Sequence, residues 1–139
     1  MDQDRLDDAI TLFTAAADSG DRPALALSKR GVCRVRAGDR TGAAHDFAAA
    51  LGRDPKCVPA LVNLGNLALE ANMLEEALAR YEAALKIDER SAAAHHNLGV
   101  VFRRMGRIAD SVRELRRAAM LETQPKKIVD RWMALWRRR

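Results

Sequence analysis

Apolar residues recur along the chain in short helical stripes, and the same arrangement returns every 34 residues. The clearest copy spans residues 58–91, where apolar side chains fall three or four positions apart in two segments separated by a short turn. This spacing predicts two amphipathic α-helices. Because neither helix can bury its apolar stripe alone, the pattern predicts helix pairs that stack on neighbouring copies into a solenoid.

Three positions carry the repeat most clearly. A small residue lies within the first helix of each copy: Gly31, Gly65 and Gly99. A large residue lies in the second helix: Phe47, Tyr81 and Leu115, with Phe13 in a partial N-terminal copy. The missing side chain lets two helices approach closely, and the large side chain packs between them. A residue that tolerates the left-handed conformation follows the first helix, which predicts a turn there: Gly38, Asn72 and Gly106.

The pattern resembles the tetratricopeptide repeat (TPR). The residues that carry the resemblance in the central copy are Leu61, Leu64, Gly65, Ala77, Tyr81 and Ala84. Three full copies fit residues 24–57, 58–91 and 92–125, and a half copy fits residues 4–21. The resemblance implies a single all-α domain, a right-handed α-solenoid of antiparallel helix pairs. It also implies a C-terminal capping helix with a basic tail at residues 126–139.

The two ends of the array are incomplete. Residues 4–18 have the pattern of a second helix whose first helix is missing, so they either cap the solenoid or leave an apolar edge for another copy or partner. After Pro125, an apolar stripe at helical spacing is predicted to cover the last repeat: Ile128, Val129, Trp132, Leu135 and Trp136. The alternative for this segment is a helix that binds a membrane surface or a partner.

Composition supports helices and argues against several functions. Alanine is abundant and aromatic residues make up only 4% of the chain, which suits closely packed helices. No apolar run is long enough to span a membrane, and the acidic start lacks a signal pattern, so we expect a cytoplasmic protein. The net charge is zero for residues 1–57, −3 for 58–91 and +8 for 92–139. Electrostatic attachment of the basic end to nucleic acid or anionic membrane is the weakest hypothesis, because no aromatic residues interleave with the arginines.

No catalytic or metal-binding motif is present, which predicts a non-enzymatic protein without cofactors. Cys33 and Cys57 lack metal-ligand spacing and are predicted to be structural. His95 occupies an apolar repeat position and should be packed, whereas His45 should be solvated. His95 and His96 are adjacent and therefore point about 100° apart on a helix, which makes them a poor chelating pair.

One residue departs from the apolar pattern of the first copy. Arg30 stands where the other copies have Leu64 and Leu98. An arginine in this place must extend its charged end to solvent along its aliphatic stem or reach a carboxylate.

Function is therefore expected from binding. In TPR superhelices the first helix of each pair lines a concave groove, and the resemblance implies these groove positions: Ser28, Lys29, Val32, Arg36, Val62, Asn63, Asn66, Glu70, His96, Asn97, Val100 and Arg103. Asn63 and Asn97 share one repeat position and are expected to form an asparagine ladder. Such amides hydrogen-bond the backbone of an extended peptide whatever its sequence.

The TPR site that grips chaperone C-termini is not predicted, because only Asn63 matches its clamp residues. Basic groove residues still favour an acidic peptide: Lys29, Arg36, Arg103 and Arg104. The leading hypothesis is an interaction scaffold that holds an extended or helical partner segment. The second is self-association through the incomplete N-terminal repeat.

Overall fold

The structure, a computed structural model, describes the backbone of residues 3–137 and the side chains of residues 3–123 and 131–137. All regular structure in this part of the chain is α-helical, which confirms the predicted fold class. The helices are α1 (Gln3–Ser19), α2 (Pro23–Arg36), α3 (Arg40–Arg53), α4 (Val58–Glu70), α5 (Leu74–Ile87), α6 (Ala92–Arg104) and α7 (Ile108–Arg137).

The helices form consecutive antiparallel pairs. Helix α2 pairs with α3, α4 with α5, and α6 with α7, while α1 packs against α2. The first helices contact one another, α2 with α4 and α4 with α6. Among the described residues the second helices α3, α5 and α7 make no such mutual contacts. The stack therefore curves so that the first helices lie on its inner side.

Each pair is held together at the predicted small and large positions. Phe47 and Tyr81 are fully buried. A Cβ atom added at Gly31 would lie 2.5 Å from the Phe47 ring, and one added at Gly65 would lie 2.6 Å from the Tyr81 ring. Any larger residue would have to push the two helices apart, so these glycines set the helix spacing.

The turns between paired helices also follow the prediction. Gly38, Asn72 and Gly106 have positive φ values of 86°, 57° and 81°. These residues end the first helices in the left-handed conformation, which glycine and asparagine adopt most readily. The same backbone turn thus recurs in all three repeats.

The turn that ends a repeat is stabilised by an aspartate side chain rather than by a residue in the left-handed conformation. The side chain of Asp54 accepts a hydrogen bond from the backbone N–H of Lys56 at 3.0 Å, and Asp88 accepts one from Arg90 at 3.1 Å. A short aspartate side chain reaches the backbone two residues ahead and stabilises a turn. The third repeat has Glu122 at this position.

The predicted separate capping helix after Pro125 is wrong, because α7 continues as one helix of 30 residues to Arg137. Glu122 stands in place of the turn-forming aspartate, and the helix continues past the repeat boundary. The predicted stripe does not cover the last repeat, since Trp132, Leu135 and Trp136 are 68%, 57% and 83% exposed. The side chains of Lys126, Lys127, Ile128 and Val129 lie outside the described residues.

Candidate functional site

A cleft of about 160 Å³ opens on the inner side of the stack, between α2 and α4. We call it the inner cleft, and it is lined by Val32, Val35, Arg36, Phe47, Asn63, Asn66, Leu67 and Glu70. Its apolar residues also pack against the core of the first repeat. Two amides and two opposite charges complete the lining, so the cleft combines an apolar surface with polar groups able to orient a ligand.

Five of the predicted groove residues meet in the inner cleft: Val32, Arg36, Asn63, Asn66 and Glu70. The others lie elsewhere. Lys29 lines a separate cleft between α1 and α2, and Val62 packs against the core of the second repeat. Residues His96, Val100 and Arg103 lie on α6, where His96 and Arg103 are exposed.

Ser28 was predicted to line the groove, and this prediction is wrong. Its side chain is only 2% exposed, and its Oγ atom lies 3.4 Å from the Sγ atom of Cys57. Cys57 is the N-cap residue of α4 at the repeat junction, so Ser28 faces the neighbouring repeat inside the core. Both Cys33 and Cys57 are buried free thiols, as expected for structural cysteines.

The groove asparagines have different hydrogen-bonding states. The Oδ1 atom of Asn66 accepts hydrogen bonds from the Tyr81 hydroxyl at 2.6 Å and from Asn97 Nδ2 at 2.8 Å. Asn97 therefore uses its donor to bridge two repeats. Asn63 makes no hydrogen bond within the described part of the chain, so its donor and acceptor both remain available.

Burial of Tyr81 supports the hydrogen bond from its hydroxyl to Asn66. The desolvated side chain favours its neutral form, which raises the pKa of Tyr81 to about 12. At neutral pH the hydroxyl therefore keeps the proton that it donates to Asn66. The hydrogen bond fixes the Asn66 amide next to the inner cleft.

Comparison with protein families agrees with the repeat register. A model described as "Tetratricopeptide repeat" matches residues 1–56, and a second, described as "TPR repeat", matches residues 65–106. Together they cover more than half of the chain. The chain belongs to the tetratricopeptide-repeat family. None of the curated proteins matches it at a significant level.

Solved structures show the same fold in other TPR proteins. A crystal structure of MamA superposes with a TM-score of 0.74 at 18% identity, covering 88% of this chain and 71% of that one. A crystal structure of YrrB, described as a TPR protein with an unusual peptide-binding site, gives a TM-score of 0.68 at 21% identity. That match covers 88% of this chain and 62% of YrrB. TPR proteins are typically protein-interaction modules rather than enzymes.

The departure at Arg30 in this TPR protein is explained by a buried carboxylate. Asp46 is fully buried on α3 and accepts hydrogen bonds from Arg30 at 2.7 and 3.0 Å and from Arg34 at 2.8 Å. Arg30 also donates to the Thr14 hydroxyl of α1 at 3.1 Å. Hydrogen bonding to Asp46 raises the pKa of Arg30. This ion cluster joins the N-terminal half repeat to the first full repeat.

The role of Asp46 was not predicted, although the sequence contains a signal for it. The same repeat position holds a charged residue in every full copy: Asp46, Arg80 and Glu114. Glu114 lies 2.7 Å from Nδ1 of His95, and the other ring nitrogen lies 2.8 Å from the carbonyl oxygen of Glu89. His95 is 6% exposed, which confirms that it is packed. At two of these three positions, Asp46 and Glu114, the side chain bonds a polar side chain on the paired first helix.

Several charges of the basic end have partners within the chain. Arg104 donates to the carbonyl oxygen of Leu69 at 3.0 Å, so it joins the third repeat to the second. Arg107 lies 4.5 Å from the Phe102 ring centroid and donates to Asp110 at 2.8 Å. The hydrogen bond from Arg107 lowers the pKa of Asp110. These arginines have structural contacts besides their effect on surface charge.

The described residues contain neither a metal-binding cluster nor a membrane-spanning helix. No three histidine, cysteine, aspartate or glutamate side chains come close enough there to share a metal ion. No helix in the same part of the chain has the length and apolar character needed to cross a membrane.

Proposed function

We propose that this TPR protein is a non-enzymatic interaction scaffold that holds a segment of a partner protein in the inner cleft. The observation that carries the proposal is Asn63, an amide that lines the inner cleft of about 160 Å³ and makes no hydrogen bond within the described part of the chain. This volume accommodates one apolar side chain of a partner. An amide beside it can donate to and accept from a peptide backbone at once.

Asn63 and Asn97 offer different hydrogen-bonding groups to a partner. Asn97 donates to Asn66, which leaves its Oδ1 atom as an acceptor for the partner. Asn63 offers both groups, so it is the main contact. Exposed Lys29, Arg36 and Arg103 favour an acidic partner segment. The description of YrrB as having a peptide-binding site supports peptide binding by a TPR protein of similar fold.

The proposal is tested with a displayed library of random peptides selected on the wild-type protein. Affinities of the selected peptides are then measured by fluorescence anisotropy on wild type, Asn63→Ala and Asn63→Trp. Loss of the amide should weaken binding by up to about tenfold, the value of one hydrogen bond. Tryptophan should weaken binding further, because it fills the mouth of the cleft.

Glu75→Ala provides the matched control, since Glu75 is exposed on α5, away from the inner cleft. This variant should bind the selected peptides as wild type does. Equal affinities for wild type, Asn63→Ala and Asn63→Trp would show that peptides bind elsewhere and would overturn the proposal.

A further inference from the structure

The described part of the chain leaves a cleft open beside α1. In the first full repeat, Ala50 packs in one cluster with Ala60 and with Ala24 and Leu27 of α2, the first helix of its pair. The counterparts one repeat earlier, Ala16 and Ala26, instead line an open cleft of about 340 Å³ between α1 and α2. We call it the end cleft.

The side chains of α1 reflect this open place. Phe13 lines the end cleft and is only half-buried, whereas its counterparts Phe47 and Tyr81 are fully buried against the first helix of their pairs. Leu12, one position earlier, is 70% exposed. Helix α1 therefore presents the contact face of a second helix without the first helix that covers such a face in the full repeats.

The end of α7 also exposes apolar side chains. In the repeat register, Trp132, Leu135 and Trp136 correspond to Leu98, Val101 and Phe102 of α6. Those three residues are at most 5% exposed, and they pack in one cluster with Ala77 and Tyr81 of the preceding second helix, α5. The end of α7 thus carries the apolar stripe of a first helix, and it is exposed because no second helix covers it in the described chain.

The charges of the two ends of the chain favour one pairing of these surfaces over the others. Residues 1–21 contain six aspartates and one arginine, whereas residues 126–139 contain six lysines and arginines and one aspartate. Packing two α1 helices together, or two ends of α7, would bring like charges into contact. Packing one end of α7 against one α1 brings opposite charges together, since the four aspartates of α1 outnumber the two cations, Arg22 and Lys29, that also line the end cleft. This pairing is therefore favoured.

We propose that residues 131–137 of one copy dock in the end cleft of a second copy, so that copies associate head to tail. Trp132 and Trp136 fill the open place beside Phe13, where a first helix lies in the full repeats. Met133 stands at the glycine position of the repeat, so the two helices are farther apart than within a repeat. Such an interface uses different surfaces on the two copies and extends to further copies unless it closes into a ring.

The first test measures the oligomeric state by sedimentation velocity over a concentration series. Wild type should associate as concentration rises, and added salt should weaken the association because it screens the opposite charges. Ala16→Lys places a long cation in the end cleft and should raise the dissociation constant at least about tenfold. The matched control is Ala15→Lys, which adds the same charge on an exposed position of α1 and should still associate.

The second test uses two blocked proteins, Ala16→Lys and the double variant Trp132→Ala, Trp136→Ala. Each should be monomeric alone, and the mixture should form only a one-to-one dimer, because one intact docking surface remains on each variant. Circular dichroism confirms that both are folded. Their peptide binding should stay unchanged, since neither site lies in the inner cleft.

Three results would overturn head-to-tail docking. The first is a wild-type protein that stays monomeric at high concentration. The second is a tryptophan double variant that associates like wild type, which would mean that α1 binds α1. The third is a mixture of the blocked proteins that forms no dimer while wild type associates.

Discussion

The first and second repeats hold their helix pairs together by different chemistry within the same backbone arrangement. In the first repeat, buried Asp46 binds Arg30 and Arg34 across the pair. In the second repeat, Leu64 replaces the arginine, and the Tyr81 hydroxyl crosses the pair to Asn66. The helix spacing is set in both cases by a glycine against a ring. The polar contacts can therefore vary while the glycine and ring keep the geometry constant.

The polar contacts of the first repeat are expected to affect stability, and those of the second repeat to affect binding. The ion cluster of the first repeat includes Thr14 of α1, so it fixes the end of the stack. The Tyr81 hydroxyl of the second repeat instead orients an amide that lines the inner cleft. Substitutions in the two networks should therefore change different properties.

The largest effect is expected for Asp46→Ala. Arg30 and Arg34 would keep their charges in a partly buried site without an acceptor, which should lower the free energy of unfolding by about 3–5 kcal/mol. Urea denaturation measures this change. The double variant Arg30→Leu, Asp46→Ala has at position 30 the leucine found at the same place in the second repeat. Its free energy of unfolding should fall by less than that of Asp46→Ala. A double variant less stable than Asp46→Ala would contradict a charge-based explanation.

Gly65→Ala should have the next largest effect. The added Cβ would lie 2.6 Å from the Tyr81 ring, which is buried and bonded to Asn66. We expect a loss of about 1–3 kcal/mol, the usual cost of overpacking. Gly99→Ala should cost less, because its Cβ meets the flexible side chain of Leu115 at 2.7 Å and approaches the backbone only at the Ser111 carbonyl oxygen, at 3.3 Å.

Gly52→Ala is the matched control for the glycine prediction. A Cβ at Gly52 meets no atom within 4 Å, and alanine favours a helix by up to about 1 kcal/mol over glycine. Thermal denaturation should show a raised midpoint for Gly52→Ala and lowered midpoints for the other two. Equal effects at residues 52 and 65 would mean that the ring contact does not set the helix spacing.

Tyr81→Phe should cost about 1 kcal/mol, the net value of one hydrogen bond. The substitution should also change the response to pH. The pKa of Tyr81 is raised to about 12 in the folded protein from 10.0, so its neutral form stabilises the fold below pH 10 and this contribution is lost as the pH rises toward 12. Between these values wild type should lose more stability than Tyr81→Phe. Parallel pH profiles would contradict this linkage.

The smallest effect on stability is expected for Asn63→Ala. Its amide has no partner within the described chain, so the free energy of unfolding should change by less than about 0.5 kcal/mol. Asn97→Ala should cost more, because it removes a hydrogen bond between repeats. Urea denaturation of both variants distinguishes them. A large loss for Asn63→Ala would mean that its side chain supports the fold.

Much of the fold could be predicted from the sequence because the repeat supplies the same evidence three times. The positions of Gly31, Gly65 and Gly99 against a large residue fix both the pairing and its spacing. The continuation of α7 was missed, since a proline usually ends a helix. The informative residue was Glu122, which replaces the aspartate that ends the two preceding repeats.

The candidate site could be predicted only in part. The register assigns residues to the first helices, but it does not show which of them meet. Phe47 lies on a second helix, so its contribution to the inner cleft follows from packing between repeats. The same holds for Asn97, whose hydrogen bond reaches a residue 31 positions away. Such contacts depend on side-chain conformations that a repeat pattern does not specify.

The contacts between helices have a consequence for folding kinetics. Every helix contact in the described chain joins helices that are consecutive or next but one. Such short-range contacts favour rapid folding, and stability spreads from neighbour to neighbour along the array. Native-state hydrogen exchange should therefore be slowest in α4 and α5, which have neighbours on both sides, and fastest in α1 and the end of α7. The protein should open from its two ends inward.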